Sequence, residues 1–488
     1  MDEQNKQQVV RTRFAPSPTG FMHIGNLRTG LYAYLYAKRH GGTFMLRIED
    51  TDQERKVEGA VDMIYRTLAT AGITYDEGPD KDGGYGPYVQ TERMSLYKEY
   101  AEKLVELGGA YYCFCDKERL ESLKDENGVH TYDKHCRNLP KEEVERRLKA
   151  GEPYVIRQKV PEGVVSEYDD MVFGKISVDS ADIEDGILLK SDGLPTYNFA
   201  NVVDDHLMNI THVIRGMEYL SSTPKYNLIY DAFGWERPKY MHLPPIMKDA
   251  TRKLSKRFGD ANFEDFISKG YLPEAIVNYI ALLGWCPKDN REKMTMDEMI
   301  AAFDVDGISH SGGSIFDENK MRWLNGEYLK AMTADEFYAV AESWIDKAIG
   351  GHNYNKKEIA ALMQTRVDVL GEIPEKLAFL SNFGEYDLNM YVHQKMKVDK
   401  TVALKAVRLA HDAVSALEDW SDESIKECIK QGAENGGMKG GQVMFSMRVA
   451  LTGEPVTPGG AIEMAAVLGK EESLRRLEFS AELLEKAQ

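Results

Sequence analysis

The sequence predicts an α/β protein with a doubly wound parallel sheet, an inserted α+β region and an all-α C-terminal region. Three patterns support this fold class. Apolar strands alternate with amphipathic helices over residues 9–72, which is the βαβ pattern of a parallel sheet. Mixed helices and short strands interrupt that pattern over residues 88–192. Helical periodicity then runs from residue 259 to the end, with Gly and Pro breaks in its later part.

Length limits the class of protein further. A chain of 488 residues is too long for one hydrophobic core. We divide it into five parts, at residues 1–88, 89–192, 193–258, 259–334 and 335–488, of which the first and third are two halves of one sheet domain. The N-terminal segment MDEQNKQQ is polar, and no apolar run is long enough to span a membrane. We expect a monomeric, cytoplasmic protein with no membrane partner.

The charge balance argues against one class of function. The chain has 61 Lys and Arg against 79 Asp and Glu, for a net charge of −18. This is the wrong sign for a protein that coats nucleic acid indiscriminately, and we expect no DNA partner. Local basic patches on an acidic protein still bind phosphate, so a specific RNA partner stays open.

The segment VVRTRFAPSPTGFMHIGNLRTGL (9–31) is predicted to be a strand, a turn and a helix that begins near Gly25. Such a helix points its unpaired N–H groups into the crevice at the sheet edge, where phosphate binds in parallel sheets. His23 and Asn26 would add side-chain donors there. Gly25 would let a base or a phosphate approach the backbone.

Charged residues end two further predicted strands. GGTFMLRIEDTD (41–52) is a strand that ends in acidic residues, and THVIRG (211–216) is a strand that ends near Arg215. A helix beginning near Thr196 precedes the second of these strands. Charged side chains at the carboxyl ends of parallel strands line the ligand crevice of such sheets.

Two motifs carry a family resemblance. HIGN (23–26) follows the run PSPTG, and KLSKR (253–257) stands far downstream. Each string alone is a weak signal, but their order and separation make coincidence improbable. The pair resembles the HIGH and KMSKS motifs of class I aminoacyl-tRNA synthetases, and the surrounding sequence is similar to the bacterial glutamyl-tRNA synthetase family. The resemblance implies a Rossmann-type catalytic domain built around the two motifs.

The resemblance also implies substrates and site residues. ATP with Mg²⁺ would be bound by His23, Gly25, Asn26, Lys253, Ser255 and Lys256, with His23, Lys253 and Lys256 as the catalytic donors. Asn26 departs from the second histidine of the family motif. L-glutamate would be bound by Arg13, Ala15, Ser17, Glu49, Tyr197, Asn201 and Arg215. Arginine has only donors, so an arginine pocket accepts a carboxylate and opposes the amide nitrogen of glutamine. The run Asp204, Asp205 and His206 is interpreted as helix and ribose-side polar groups.

Five cysteines are present, and three of them lie close together. Cys113 and Cys115 form a C-x-C pair, followed by Cys136, with His130, Tyr132 and His135 as candidate fourth ligands. The resemblance is to a zinc knuckle with Tyr132 as that ligand. Three buried reduced thiols without a metal are the alternative, and both stay open. Cys286 and Cys428 are isolated and are predicted to be core residues.

The resemblance implies a glutamate–tRNA ligase that forms glutamyl adenylate and then esterifies the terminal ribose of tRNA(Glu). An alternative is a non-discriminating form that also charges tRNA(Gln) with glutamate. A glutaminyl enzyme is disfavoured by Arg215, and a nucleotidylyltransferase by the long helical C-terminus. Residues 89–192 interleave basic and aromatic side chains, which suits binding of an acceptor end, and the C-terminal helices resemble an anticodon-binding cage.

Overall fold

A computed structural model describes residues 9–52, 57–123, 131–254, 261–310 and 312–487. The chain packs as two compact units. Unit 1 consists of Met1–Ile267 and Pro273–Asp317, and unit 2 consists of Ser268–Leu272 and Glu318–Gln488. Unit 1 contains both strands and helices, whereas unit 2 is built from helices.

The strands are short and all lie in unit 1. They are β1 (Arg11–Phe14), β2 (Thr43–Leu46), β3 (Ala110–Cys113), β4 (Val155–Gln158), β5 (Val165–Asp170), β6 (Gly174–Asp179), β7 (Ile187–Leu189), β8 (His212–Gly216), β9 (Lys239–Leu243), β10 (Ile246–Met247) and β11 (Ser314–Ile315).

Unit 1 also contains ten α-helices in its described residues. They are α1 (Ile24–Arg39), α2 (Ala60–Thr70), α3 (Met94–Glu106), α4 (Lys117–Glu121), α5 (Lys141–Lys149), α6 (Tyr197–Leu207), α7 (Thr223–Phe233), α8 (Phe263–Ser268), α9 (Pro273–Leu282) and α10 (Met296–Ala302).

Parallel pairing builds the sheet around the predicted crevice. β1 pairs in parallel with β2, and β8 pairs in parallel with β9. Thr211, the residue before β8, donates its backbone N–H to the carbonyl of Arg11, which joins β1 to β8. The expected strand–helix–strand order is therefore observed. β9 and α7 were not predicted from the sequence, and β11 lies in a stretch predicted to be helical.

The segment predicted as an insertion takes part in two sheets. β3, β4 and β7 form an antiparallel sheet of their own. β5 instead pairs in parallel with β9 at Asp170 and Tyr240, and antiparallel with β6. Asp170 thereby reaches the same sheet as β8.

The first helix is held tightly against the first strand. Leu27, Leu31 and Leu35 of α1 are fully buried. A Cβ at Gly30 would lie 3.0 Å from the ring of Phe14, so a larger residue would push α1 away from β1. This packing fixes where the N-terminus of α1 opens at the sheet edge.

Unit 2 is helical, as predicted for the C-terminal region. Its helices are α11 (Glu318–Ala331), α12 (Ala334–Ile349), α13 (Lys356–Met363), α14 (Ile373–Lys376), α15 (Lys400–Ser415), α16 (Asp422–Asn435), α17 (Gly440–Thr452) and α18 (Ala461–Lys486). Thr333 and Glu336 form a reciprocal capping box at the start of α12. In both units, none of the described helices is long and apolar enough to cross a bilayer.

Candidate active site

A crevice of about 1020 Å³ opens at the carboxyl ends of β1 and β8 in unit 1. The strand-to-helix turn after β1, the start of α1, the segment after β2, the approach to α6 and the end of β8 all contribute to its lining. This is the edge at which parallel sheets bind their ligands. Six of the predicted glutamate-binding residues line it, namely Arg13, Ala15, Ser17, Glu49, Tyr197 and Arg215.

Asn201 is the predicted pocket residue that the structure places differently. Asn201 is buried on α6, and its amide donates a 2.5 Å hydrogen bond to the carbonyl of Tyr197. Among the described residues that line the crevice, it is Tyr197 that contributes the side chain from this part of α6. Asn201 thus supports the first turn of the helix that carries Tyr197.

Arg13 and Glu49 belong to one buried ion-pair network. The Nε of Arg13 lies 3.0 Å from a carboxylate oxygen of Asp205, and the NH1 of Arg47 lies 2.8 Å from the same oxygen. The NH2 of Arg47 donates to Glu49 at 2.9 Å. Burial raises the pKa of Glu49 even though Arg47 opposes that shift. For Asp205, burial acts in the same direction, but Arg13 and Arg47 outweigh it and lower the pKa.

The ribose-side interpretation of Asp204 and Asp205 is wrong. Both side chains are almost fully buried and point to different partners. Asp204 accepts hydrogen bonds from Arg93, Gln90 and Tyr97, which precede or begin α3. Successive residues of a helix face different directions. Asp205 therefore pairs with Arg13 and Arg47, whereas Asp204 accepts its hydrogen bonds from the segment at residues 90–97 and also lies 3.8 Å from Arg47. His206 stacks on Trp235 with ring centroids 3.7 Å apart.

Arg215 lies near the end of β8 and is surrounded by aromatic rings. Its guanidinium lies 4.9 Å from the ring centroid of Tyr226, 5.1 Å from that of Tyr219 and 5.6 Å from that of Tyr240. Burial alone would lower the pKa of Arg215, but the neighbouring tyrosines and Asp205 raise it above its ordinary value. Arg215 therefore stays cationic although it is buried. Sequence reasoning missed Tyr219, which also lines the crevice and follows Arg215 by four residues.

His23 lies at the N-terminus of α1, as predicted. Its Nδ1 accepts a 3.0 Å hydrogen bond from the backbone N–H of Gly25. A neutral imidazole that accepts at Nδ1 carries its proton at Nε2, so His23 is a donor through Nε2. Of the described residues of α1, Asn26 and Thr29 line the crevice, and His23 caps the helix just before them.

The segment after the second motif is hydrogen-bonded to the first motif. The backbone N–H of Ile24 donates to Ala261 at 2.8 Å, and that of Phe263 donates to Met22 at 3.1 Å. Lys253 is exposed and forms a bridge with Met247. The predicted residues Ser255 and Lys256 lie outside the described residues. The backbone pairing brings the flank of KLSKR to HIGN, as the motif interpretation requires.

The three clustered cysteines form a compact donor set. Their Sγ atoms all lie within 4.8 Å of one another, and those of Cys115 and Cys136 are 3.6 Å apart. The hydroxyl of Tyr132 lies 3.2 Å from the Sγ of Cys113. A tetrahedral zinc site with Zn–S distances of about 2.3 Å separates its sulfur atoms by roughly 3.8 Å. The donor types and spacing therefore fit zinc, and Tyr132 is placed to be the fourth ligand.

The two remaining cysteines do not both match the core prediction. Cys286 is exposed, and its Sγ lies 3.3 Å from a side-chain oxygen of Asn290. It follows the buried Trp285, which lies three residues beyond the end of α9. Cys428 is half-buried and donates to the carbonyl of Ala413 at 2.9 Å.

Several basic side chains of residues 89–192 are tied to acidic neighbours. Arg137 is buried and lies 2.8 Å from Asp185, which also accepts from the hydroxyl of Tyr111. Arg137 and Tyr111, two of the basic and aromatic residues in the range 89–192, therefore have a structural role. On the surface, Arg146 and Arg147 both pair with Glu143.

The parallel sheet, the crevice between its strand ends and the backbone pairing of two distant motif segments together define a class I aminoacyl-tRNA synthetase. The model of the catalytic domain of class I tRNA synthetases (E and Q) matches residues 9–323, and the model of an anticodon binding domain matches residues 325–481. The chain belongs to this family of class I tRNA synthetases, and its predicted fold class is confirmed.

Individual relatives resemble the chain over nearly its full length. A glutamate–tRNA ligase of Clostridium novyi is 55% identical over 98% of this chain and 99% of the relative. A glutamate–tRNA ligase of Clostridium acetobutylicum is 53% identical over the same shares. The crystal structure of a glutamate tRNA ligase from Elizabethkingia meningosepticum, in complex with its amino acid, matches with a TM-score of 0.89. That match has 36% identity and covers 97% of this chain and 99% of that one.

Proposed function

We propose that this protein ligates L-glutamate to tRNA(Glu) in two steps. ATP first activates the α-carboxylate as glutamyl adenylate, and the glutamyl group then passes to the 3′-terminal ribose of the tRNA. The observation that carries this proposal is Arg215, a buried cation whose described contacts include no carboxylate and which lines the crevice. A negatively charged side chain is the ligand that such an arginine favours.

The crevice supports recognition at both ends of glutamate. In this proposal Arg215 receives the side-chain carboxylate, and Arg13 adds positive charge from the neighbouring strand β1. Glu49 receives the α-ammonium group, while Tyr197, Ala15 and Ser17 shape the wall between them. The amide of glutamine has N–H donors that would face the N–H donors of the arginines, which leaves both sets of donors unpaired. Glutamine also lacks the negative charge that attracts the arginines, so we expect the pocket to reject it.

Adenylate formation depends on positioning and on charge neutralisation. The attacking carboxylate is already ionised at neutral pH, so no general base is needed. His23 donates through Nε2, and Gly25 and Asn26 offer the start of α1 to the triphosphate. Lys253, Ser255 and Lys256 of the second motif complete the donors in this proposal, and Mg²⁺ enters with ATP.

The tRNA is bound by two parts of the chain in this proposal. The segment at residues 89–192 binds the acceptor end, and residues 335–488 bind the anticodon. Residues 259–334 connect the catalytic part of the chain to the anticodon-binding part. Lys395, Lys397 and Lys405 of unit 2 are exposed, and none of the described carboxylates forms an ion pair with them. They are the cations we assign to phosphate contacts. The protein acts as a cytoplasmic monomer in this proposal.

The cysteine cluster holds one structural zinc ion in this proposal, through Cys113, Cys115, Tyr132 and Cys136. The guanidinium of Arg157 lies 3.9 Å from the ring centroid of Tyr132 and would stabilise a negatively charged phenolate ligand. Protein purified without chelator should contain about one equivalent of zinc per chain. Cys136→Ser should lose the zinc, and the exposed-thiol variant Cys286→Ser should retain it. Metal-free wild-type protein would contradict this assignment.

Aminoacylation of purified tRNA tests the whole proposal. The purified protein, with ATP and Mg²⁺, should charge tRNA(Glu) with labelled glutamate and should not charge tRNA(Gln) with glutamine. ATP–pyrophosphate exchange should be measured with tRNA present. Charging of tRNA(Gln) with glutamate would identify the non-discriminating form. Failure to charge either tRNA with glutamate would overturn the proposal.

A further inference from the structure

A buried chain of side chains lies directly behind Arg215. Arg215 of β8 and His242 of β9 are partners in register on paired parallel strands, so their side chains are neighbours on one face. The Nε of Arg215 lies 3.2 Å from the Nε2 of His242. The Nδ1 of His242 lies 2.6 Å from a carboxylate oxygen of Asp170 at the end of β5. His242 and Asp170 have no exposed side-chain surface.

The protonation of His242 follows from its partners. Asp170 accepts hydrogen bonds from the backbone N–H groups of Val172, Phe173 and His242. A carboxylate in this setting is only an acceptor, so the Nδ1 of His242 must carry a proton. The Nε–H of Arg215 can then be accepted only if Nε2 has no proton. Asp170 therefore selects the tautomer that lets His242 accept from Arg215.

Thr223 holds a second nitrogen of the same arginine. The NH2 of Arg215 donates to the hydroxyl of Thr223 at 2.6 Å, and that hydroxyl donates to the carbonyl of Tyr219 at 2.8 Å. Thr223 is fully buried at the start of α7. Two of the five guanidinium N–H groups are thus used, both on the Nε edge. The described contacts leave the NH1 edge to the crevice.

We propose that Asp170, His242 and Thr223 are positioning residues that hold Arg215 by its Nε edge and aim its NH1 edge at the substrate's side-chain carboxylate. This inference rests on the proposed function, because it names what makes Arg215 selective. An arginine whose Nε edge is fixed presents its remaining N–H groups to the carboxylate in one orientation. A freely rotating arginine would also tolerate an amide oxygen, at the cost of selectivity.

The test compares isosteric variants of the full chain. In Asp170→Asn, the new amide can donate to the Nδ1 of His242 and move the proton to Nε2, so a donor faces Arg215. Thr223→Val removes the hydroxyl acceptor without changing side-chain volume. His242→Leu removes the ring acceptor, whereas His242→Gln keeps a carbonyl acceptor near the position of Nε2. Each is assayed by tRNA-dependent ATP–pyrophosphate exchange with glutamate, glutamine and ATP as the varied substrate.

Asp170→Asn and His242→Leu should raise the glutamate KM roughly 10- to 100-fold, which is the scale of a lost hydrogen bond to a charged group. The ATP KM should change less than about two-fold, and the preference for glutamate over glutamine should fall. Thr223→Val should act in the same direction, and His242→Gln should recover part of the loss. The matched control is His212→Leu, which alters a buried histidine at the start of β8 and should leave both KM values unchanged.

Arg215→Met separates the two levels of the proposal. A raised glutamate KM in Arg215→Met, with wild-type values in Asp170→Asn, Thr223→Val and His242→Leu, overturns the positioning inference and leaves the proposed function standing. A wild-type glutamate KM in Arg215→Met overturns the assignment of the pocket itself. Equal loss for glutamate, glutamine and ATP in folded Asp170→Asn and Thr223→Val proteins would show general damage and would also overturn the inference.

Discussion

Two walls of the crevice, one at the end of β1 and the other at the end of β8, each bury an arginine. The charge of the arginine is compensated differently on each wall. On the β1 wall, Arg13 faces Asp205, which Arg47 shares. On the β8 wall, the described contacts of Arg215 are a histidine, a threonine and three tyrosine rings. One arginine is neutralised by the fold, and the other is solvated by neutral groups. A buried cation without a carboxylate partner is costly to keep, and a bound anion would supply the missing partner.

The first prediction sets the stability of the two walls against each other. Arg13→Met should lower the free energy of unfolding by about 3 kcal/mol, because it leaves Asp205 with fewer donors in a buried site. Arg215→Met should lower it by less than about 1 kcal/mol, because it removes a buried cation that has no ion-pair partner among the described residues. Urea unfolding of the ligand-free proteins measures both values. Equal losses would mean that the two arginines are compensated alike.

The second prediction concerns glutamate binding, for which Arg215 should matter more than Arg13. Arg215→Met should raise the glutamate KM by roughly 100-fold, since a bidentate charge-assisted contact is lost, and should change the ATP KM much less. Steady-state exchange kinetics with tRNA present measures both constants. An Arg215→Met enzyme with a normal glutamate KM would remove the β8 wall from substrate recognition.

The third prediction concerns Glu49, which follows β2 and lines the crevice. Glu49→Gln keeps the shape of the side chain but removes the charge that we assign to the α-ammonium group. The glutamate KM should rise roughly ten-fold, the scale of one lost charge-assisted hydrogen bond. Glu77→Gln is the control, because Glu77 bridges Met45 of β2 but pairs with Arg11 and is not among the residues that line the crevice. A similar rise in both variants would point to loss of sheet stability instead.

The sequence predicted the local parts of both walls well. The turn after β1, the helix at His23 and the charged end of β8 follow from patterns within about 20 residues. The family resemblance supplied Arg13, Glu49, Tyr197 and Arg215, and all four line the crevice. Local patterns suffice there because each residue sits at a strand end or a helix start.

The supporting contacts could not be predicted in the same way. Asp205 is 192 residues from Arg13, and Asp170 is 72 residues from His242. Which acid meets which base depends on strand order, and the strand containing His242 gave no clear signal. The short strand Lys239–Leu243 follows a proline and has no alternating pattern, since four of its five residues are buried. Hence Asp204 and Asp205 were misassigned to the ribose side.

The last and smallest expected effect is that of pH on glutamate binding. The groups around His242 are Asp170, Arg215, Glu218, Thr223, Tyr168 and Tyr240. Burial lowers the pKa of His242 below its ordinary value of 6.5, although Asp170 opposes this shift, so His242 stays a neutral acceptor above that pH. Burial raises the pKa of Glu49 above its ordinary value of 4.5, so Glu49 loses its charge earlier than an exposed glutamate as pH falls.

Both pKa shifts predict that glutamate binding weakens as the pH falls. The glutamate KM should be lowest near pH 8 and should rise a few-fold toward pH 5, while the ATP KM changes less. In Glu49→Gln the rise should be smaller, because the variant has no charge to lose at position 49, and any rise that remains is assigned to His242. Exchange kinetics across this range measures the dependence. A glutamate KM that falls as the pH is lowered from 8 to 5 would contradict the roles of both Glu49 and His242, because each pKa shift predicts weaker glutamate binding at the lower pH.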